Sequence, residues 1–70
     1  MAQSVRILRL PDVKSRVGLS RSTIYSRIAA GRFPRPVALG GRVVGWIEAE
    51  IHDWLDDQVA TSRNGDRQES

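Results

Sequence analysis

Residues 18–25 read Gly-Leu-Ser-Arg-Ser-Thr-Ile-Tyr, and this stretch decides the fold. Gly18 can take the left-handed conformation that follows the last turn of a helix. Ser20 can cap the next helix, because its hydroxyl can accept a hydrogen bond from the backbone amide of Ser22 or Thr23. Only two residues separate the end of the first predicted helix from this cap. A turn that short, with a glycine in it, is typical of a helix-turn-helix.

The chain before this turn is predicted to hold an extended segment and a short helix. The helix runs from Asp12 to Val17, since Val13 and Val17 fall on one helical face. The preceding residues, Val5 to Leu10, mix apolar and arginine side chains in a pattern that Pro11 stops before it can lengthen. We therefore expect a short extended segment there.

A second helix and a stiff connector are predicted to follow the turn. The helix runs from about Ser20 to Ala30, with Ile24 and Ile28 forming its buried stripe. Residues 32–36 read Arg-Phe-Pro-Arg-Pro and cannot be helical. Their prolines lack amide donors and push the preceding residue to extended geometry.

The Gly40-Gly41 pair predicts a β-hairpin, because glycine accepts the positive φ angles of a tight turn. Its strands would be Val37 to Leu39 and Val43 to Trp46. A strict two-residue turn would put Arg42 on the same face as Leu39, so either Arg42 lies at the tip or the loop is longer. The sequence leaves this register open.

The last predicted helix is amphipathic and runs from about Glu48 to Gln58 or Val59. Ile51, Trp54 and Leu55 line one face of it. Trp54 is therefore expected in the core, as is Trp46, rather than among base-stacking aromatics. Acidic side chains occupy the rest of the helix surface: Glu48, Glu50, Asp53, Asp56 and Asp57.

These elements predict an α+β fold, a small winged helix-turn-helix with the order β-α-α-β-β-α and a two-stranded wing. A chain of 70 residues has room for one core, and we place that domain at residues 1–60. Residues 61–70 contain no apolar side chain that could anchor them. A disordered C-terminal tail is expected there.

Charge is distributed unevenly along the chain. Residues 1–42 hold nine arginine or lysine side chains against one acid, and residues 43–70 hold two against seven, so the halves carry +8 and −5. Ten of the eleven cations are arginine, which suits bidentate contacts to phosphate and guanine. Nucleic acid is the leading partner, although on charge alone a solvated charged surface explains the pattern about as well, since basic proteins also bind membranes and acidic partners.

The second helix carries the best candidates for contact with DNA. At 100° per residue, Ser22, Ser26 and Ala29 lie opposite its apolar stripe, and short side chains there let a helix approach base edges in the major groove. Arg21, at the N-terminal end, is the first choice for a guanine contact. Half-burial explains Tyr25 as well as a phosphate contact does. The full set of candidate DNA-binding residues is Ser20, Arg21, Ser22, Thr23, Tyr25, Ser26, Arg27, Arg32, Arg35 and Arg42.

Other function classes find little support in the sequence. The chain has no cysteine, so it forms neither a disulfide nor a thiolate metal site. No apolar run approaches the roughly 20 residues of a membrane span, and no secretory signal is visible, so a cytoplasmic location is expected. His52 lies four residues from Glu48, but two potential ligands without a third are usually a surface ion pair. We expect no enzymatic activity, no cofactor and no metal.

The chain carries a series of motifs in a fixed order: Arg9-Leu10-Pro11 with Val13, Gly18 to Tyr25, Gly31-Arg32-Phe33-Pro34, Leu39-Gly40-Gly41-Arg42, Gly45-Trp46, and Glu50-Ile51 with Trp54-Leu55. This series closely resembles the AlpA family of prophage transcriptional regulators over roughly residues 6–59. Single pieces occur in many helix-turn-helix proteins, but the ordered set is specific. The resemblance implies a compact relative of MerR-type and phage excisionase DNA-binding domains, which regulates excision genes in prophages or integrated elements.

Three functions remain open at this point. The leading hypothesis is a sequence-specific double-stranded DNA-binding transcriptional regulator, with the second helix in the major groove and the hairpin on the backbone or in the minor groove. An alternative is an excisionase-like architectural factor that bends DNA and recruits an integrase. A weaker alternative is a protein-interaction module that uses the acidic last helix. The expected partner is double-stranded DNA, with self-association as a dimer or on tandem repeats, RNA polymerase and integrase as further candidates, and no membrane.

Overall fold

The computed structural model describes the backbone of residues 5–69 and the side chains of residues 5–63. The elements follow one another in the predicted order β-α-α-β-β-α, and the fold belongs to the α+β class. Their bounds are β1 Ile7–Leu8, α1 Leu10–Val17, α2 Arg21–Ala29, β2 Val37–Gly40, β3 Val43–Ile47 and α3 Glu48–Glu69.

Helix α1 begins two residues earlier than Asp12, where the sequence pattern placed its start. Pro11 does end the extended segment, but it does so from inside the first turn of α1. Proline is tolerated there because its missing amide would have no partner within the helix, and its fixed φ suits the first turn. Val13 is fully buried on the inner face of α1, and Val17 packs against the core as predicted.

The turn between α1 and α2 has the predicted chemistry. Gly18 adopts φ 69° and its amide donates to the carbonyl of Lys14 at 2.8 Å, which closes the last turn of α1. The Ser20 hydroxyl accepts from the amide of Thr23 at 3.3 Å and caps α2. Both terminal signals read from the sequence are confirmed.

Helix α2 ends in a Schellman motif around Gly31. The Gly31 amide donates to the carbonyl of Ile28, and the Arg32 amide donates to the carbonyl of Arg27, at 3.0 and 2.8 Å. Gly31 adopts φ 75°, which a residue with a side chain rarely takes. This reversal directs the chain away from α2 and into the connector.

The sheet has three strands: the predicted hairpin is present as β2 and β3, and β1 adds a third strand that the sequence did not predict. Its strand order is β1-β3-β2 and both pairings are antiparallel. β1 pairs with the far side of β3, with Leu8 opposite Trp46. The sequence predicted an extended segment here but no partner for it, because pairing between residues 38 and 40 positions apart is not a local signal.

The hairpin register is settled by a bulge at Leu39. Ala38 pairs with Val44 and Gly40 pairs with Val43, so one residue of β2 has no partner on β3. The extra residue moves Gly41 and Arg42 into the two-residue turn. Arg42 therefore lies at the hairpin tip, which is one of the two alternatives that the sequence left open.

Six apolar side chains form the buried core between the sheet and the three helices: Leu8, Val13, Ile24, Phe33, Trp46 and Ile51. Ile28, Trp54 and Leu55 pack against it and are partly buried. The predicted inner faces of α2 and α3 are confirmed, and both tryptophans belong to the packing, as expected. Phe33 is a core residue that the sequence pattern did not single out.

The two tryptophans also fix the connector between α2 and β2. The indole nitrogen of Trp46 donates to the carbonyl of Pro34 at 3.0 Å, and that of Trp54 donates to the carbonyl of Arg32 at 2.8 Å. The ring of Phe33 meets Trp54 edge to face, with centroids 4.7 Å apart. Residues 32–36 are thus held by the core at three points as well as stiffened by their prolines.

Helix α3 continues to Glu69, so the predicted end at Gln58 or Val59 was wrong. The chain contains no proline after Pro36, and a helix that has formed adds residues without a new nucleation cost. Residues 61–69, expected as a disordered tail, have helical backbone. The division into a domain of residues 1–60 and a tail of residues 61–70 stays a prediction, and its ends, residues 1–4 and 70, lie outside the described residues.

Candidate nucleic-acid interface

The outer face of α2 is exposed, as predicted. Ser22, Ser26 and Ala29 all lie in solvent, whereas Ile24 on the opposite side of the same helix is fully buried. Burial of Ile24 fixes the rotation of α2 about its axis. The fold therefore presents a flat face of short side chains on a helix that the core holds in place. We call Ser22, Ser26 and Ala29 the outer face of α2.

Arg21 and Tyr25 border this face and contact each other. The Arg21 guanidinium carbon lies 5.2 Å from the centroid of the Tyr25 ring, a cation–π arrangement. Tyr25 is half-buried, and its ring meets Trp46 edge to face at 6.2 Å. The Tyr25 ring thus connects a fully buried tryptophan to an exposed guanidinium. This contact limits the orientations of the Arg21 side chain. It leaves the hydrogen-bond donors of the guanidinium free.

Two of the candidate hydroxyl groups are committed to the helix cap. The Ser20 hydroxyl donates to the Thr23 hydroxyl at 3.0 Å and also accepts from the Thr23 amide. Ser22 lies at the edge of this group, with its hydroxyl 3.4 Å from that of Ser20. Ser20 and Thr23 therefore have a structural role here, and Ser22 and Ser26 remain the hydroxyls that face outward.

Arg27 lies on the flank of α2 that faces α3, and Arg32 lies in the connector close to it. They line an open groove of about 600 Å³ together with Trp54 and Asp57. Arg27 is half-buried in this groove, and the Asp57 carboxylate adds negative charge beside it. The structure does not bring these two arginines together with Arg21, because Arg27 and Tyr25 border opposite edges of the outer face of α2.

The remaining candidates, Arg35 and Arg42, are exposed on separate segments. Arg35 lies in the connector that the tryptophans anchor, and Arg42 lies at the hairpin tip. These two side chains add positive charge on segments outside α2. The candidate arginines therefore lie on three segments of the fold: helix α2, the connector and the hairpin tip.

An ion-pair cluster that sequence reasoning missed joins α1, α3 and the segment before β1. Arg16 donates to the carboxylate of Glu48 at 2.9 Å and contacts the His52 ring nitrogen Nε2 at 3.2 Å, and Arg6 lies 3.9 Å from the same carboxylate. Glu48 and His52 were read as a possible surface ion pair with each other. Both instead meet Arg16, which local spacing on one helix could not reveal.

The described residues offer little to other chemistries. In that part of the chain, no cluster of three or more His, Cys, Asp or Glu side chains is placed to hold a metal ion. None of the helices there has both the length and the apolar character needed to cross a lipid bilayer.

The fold and this face define a small α+β protein with a helix-turn-helix whose second helix presents a polar, arginine-bordered surface. Residues 6–59 match the family model described as prophage CP4-57 regulatory protein, AlpA. The chain belongs to this AlpA family, as the resemblance of its motifs indicated.

Two relatives cover most of the chain. A protein of Enterobacteria phage P4 described as uncharacterized protein ORF88 is 45% identical over 60 residues, which span 86% of this chain and 68% of the phage protein. The Escherichia coli K12 protein described as DNA-binding transcriptional activator AlpA is 44% identical over 61 residues, which span 79% of this chain and 87% of that protein.

Proposed function

We propose that this protein is a sequence-specific double-stranded DNA-binding transcriptional regulator of prophage or integrated-element genes. Helix α2 enters the major groove with its outer face toward the bases, and the hairpin of β2 and β3 serves as a wing on the backbone or in the minor groove. Arg21 contacts a guanine, Ser22 and Ser26 contact base edges or phosphates, and Arg35 and Arg42 contact phosphates.

The observation that carries this proposal is the exposure of Ser22 and Ser26 on a helix fixed from behind by Ile24. A helix reads base edges only if its backbone comes close to them, and long side chains on the leading face would prevent that approach. The outer face of α2 has none. Arg21 stands beside it at the N-terminal end, where recognition helices make their base contacts.

The distribution of charge supports the same orientation. The acidic side chains of α3 would repel phosphate, so a duplex approaching the protein is steered toward the arginine-bearing segments. Asp57 in the groove beside Arg27 and Arg32 makes these two weaker phosphate ligands than Arg35 or Arg42. We therefore place Arg27 and Arg32 at the edge of the contact surface.

Membership of the AlpA family and the description of the Escherichia coli relative agree with the proposal. That relative is described as a DNA-binding transcriptional activator, and it shares 44% identity over most of this chain. The family model is named for a prophage regulatory protein. The proposed role in prophage gene regulation rests on these relationships. The proposed DNA contacts rest on the geometry of α2.

Replacing Arg21 with alanine tests the proposed base contact. We expect Arg21→Ala to weaken binding to the selected DNA site by about 1–3 kcal/mol and to relax base preference at one position. Arg35→Ala is the matched control, since loss of a phosphate contact should weaken binding to selected and random duplexes alike. Fluorescence anisotropy with both duplexes measures the two effects. Equal losses on the two duplexes for Arg21→Ala would contradict the assignment of a base contact to Arg21.

A further inference from the structure

Strand β3 lacks the alternation expected of a sheet that has one face in water. It reads Val-Val-Gly-Trp-Ile and contains no polar side chain. In an antiparallel sheet with one face on the core, apolar residues normally alternate with polar ones. Val44 and Trp46 face the core, so Val43, Gly45 and Ile47 point to the other side of the sheet. The side of β3 away from the core is apolar too.

The neighbouring strands extend this apolar surface. Ile7 pairs with Ile47, and Val37 pairs with Gly45, so both share the side of the sheet away from the core. The bulged Leu39 joins them, because its Cδ1 would lie 3.2 Å from a Cβ built on Gly45. That Cβ would also overlap the side chain of Ile7, which shows that the space above Gly45 is already enclosed. We call this surface the outer sheet face: Ile7, Val37, Leu39, Val43 and Ile47 around Gly45.

Among the described residues, the core and the side chains packed against it include no member of the outer sheet face. Leu39 and Val43 are 46% and 40% exposed, although both are branched apolar side chains in a small domain. Ile7, Val37 and Ile47 beside them are partly exposed, so five apolar side chains share a single surface that the core does not cover. Contiguous exposed patches of this kind mark interaction sites more often than plain solvent-facing surface.

We propose that the outer sheet face is a homodimer interface and that its occupant is the same face of a second copy of this chain. The two copies are related by a two-fold axis near Gly45, so that the patch meets itself. A two-fold contact requires a self-complementary surface, and a patch that is apolar throughout its centre satisfies this requirement.

The charges at the two ends of the outer sheet face favour a second copy as the occupant. Arg42 lies at the hairpin tip, next to Val43 at one end of β3. At the other end, Ile47 lines an open cavity of about 460 Å³ together with Glu48 and Asp53. Arg6 and His52 also line that cavity. Glu48 already forms ion pairs with Arg6 and Arg16. Among the described residues, Asp53 is therefore the carboxylate of this cavity that has no ion pair. A two-fold axis places Arg42 of each copy at the acidic cavity of the other.

This inference concerns the free protein, so it can fail while the proposed function stands. It also deepens that function, because one domain reads only a short half-site and two joined domains read two. The guanidinium of Arg42 has five donors and can meet a carboxylate along one edge and a phosphate along another. Dimerisation and the DNA contact proposed for Arg42 are therefore compatible.

Sedimentation equilibrium of the full chain without DNA tests the proposal. We expect the wild type to show a monomer–dimer equilibrium, and Leu39→Asp and Val43→Asp each to raise the dimer Kd by at least about tenfold, as expected for a buried apolar contact replaced by a charge. Val59→Asp is the matched control, since Val59 on α3 is 47% exposed and lies outside the outer sheet face. It should leave the dimer Kd unchanged. Far-UV circular dichroism identifies any variant that fails to fold, and the second variant then decides.

Charge reversal separates a specific two-fold contact from general stickiness. Arg42→Asp and Asp53→Arg should each weaken the dimer, and the double variant should restore it, because the pair is then reversed rather than removed. A wild type that stays monomeric at about 100 µM, a concentration far above the Kd of a specific dimer, would overturn the proposal. So would a dimer that persists in both Leu39→Asp and Val43→Asp. An equal increase of the dimer Kd in Val59→Asp would overturn it as well.

Discussion

Trp46→Ala should lower the free energy of unfolding by about 3–5 kcal/mol, a large share of the total stability of the domain. A 70-residue domain is stabilised by about 4–10 kcal/mol, and removing a fully buried tryptophan costs about 3–5 kcal/mol. Trp46 packs against Tyr25, pairs opposite Leu8 and holds the carbonyl of Pro34. Its loss opens the junction of the sheet, α2 and the connector at once. Urea denaturation followed by far-UV circular dichroism measures the change in the free energy of unfolding.

Trp46→Phe is the informative control, because it keeps an aromatic ring and removes the indole donor. It should cost less than Trp46→Ala and leave the carbonyl of Pro34 without its partner, a penalty of about 1–3 kcal/mol. Retained stability in Trp46→Ala would contradict the central place of this residue in the core. Equal losses of stability in Trp46→Ala and Trp46→Phe would contradict the expectation that packing of the Trp46 ring contributes more to stability than its hydrogen bond to Pro34.

Ser26→Glu should abolish specific DNA binding while leaving the fold intact. Ser26 is exposed in the middle of the outer face of α2, and glutamate is a good helix former, so the domain tolerates the change. In a complex with α2 in the major groove, the new carboxylate would lie among phosphates and bases, where like charges cost several kcal/mol. We expect a loss of at least about hundredfold in affinity, measured by anisotropy on the selected site.

Ser62→Glu is the matched control, since Ser62 is an exposed serine on α3 and the substitution adds the same charge. Binding should fall only slightly in this variant, through the change in net charge. A Ser26→Glu protein that is folded and binds as well as Ser62→Glu would show that DNA does not contact the outer face of α2.

The sequence predicted those features that depend on short-range chemistry. Gly18 and Ser20 identified the turn because a left-handed glycine and a serine cap act within four residues of themselves. Ile24 identified the inward side of α2, and therefore the outward position of Ser22 and Ser26, because helical periodicity is a local property. These few residues were sufficient to predict where the candidate interface lies.

Features that depend on contacts between distant segments were not predicted. The pairing of β1 with β3, the burial of Phe33 and the two indole hydrogen bonds to the connector all join residues at least 12 positions apart. One signal was available for the hydrogen bonds: a buried tryptophan needs an acceptor, and a proline-rich segment has carbonyls without regular partners. Nothing local indicated which carbonyls those would be.

The apolar character of β3 was visible in the sequence but was interpreted only as strand propensity. The register with Ile7 and Val37 shows that this character extends over a whole surface of the sheet. A pattern of valine and isoleucine in a single strand does not distinguish a strand covered on both sides from one covered on one side.

Titration of the wild-type protein with a duplex selected from a random pool, at several salt concentrations, measures whether the outer face of α2 reads duplex DNA. We expect binding to that duplex at least about a thousandfold tighter than to random duplex. The slope of log K against log salt should be about −4 to −5, as expected for about five phosphate contacts. Failure to select any preferred sequence, or binding that does not respond to salt, would contradict the claim that the outer face of α2 and its bordering arginines read duplex DNA.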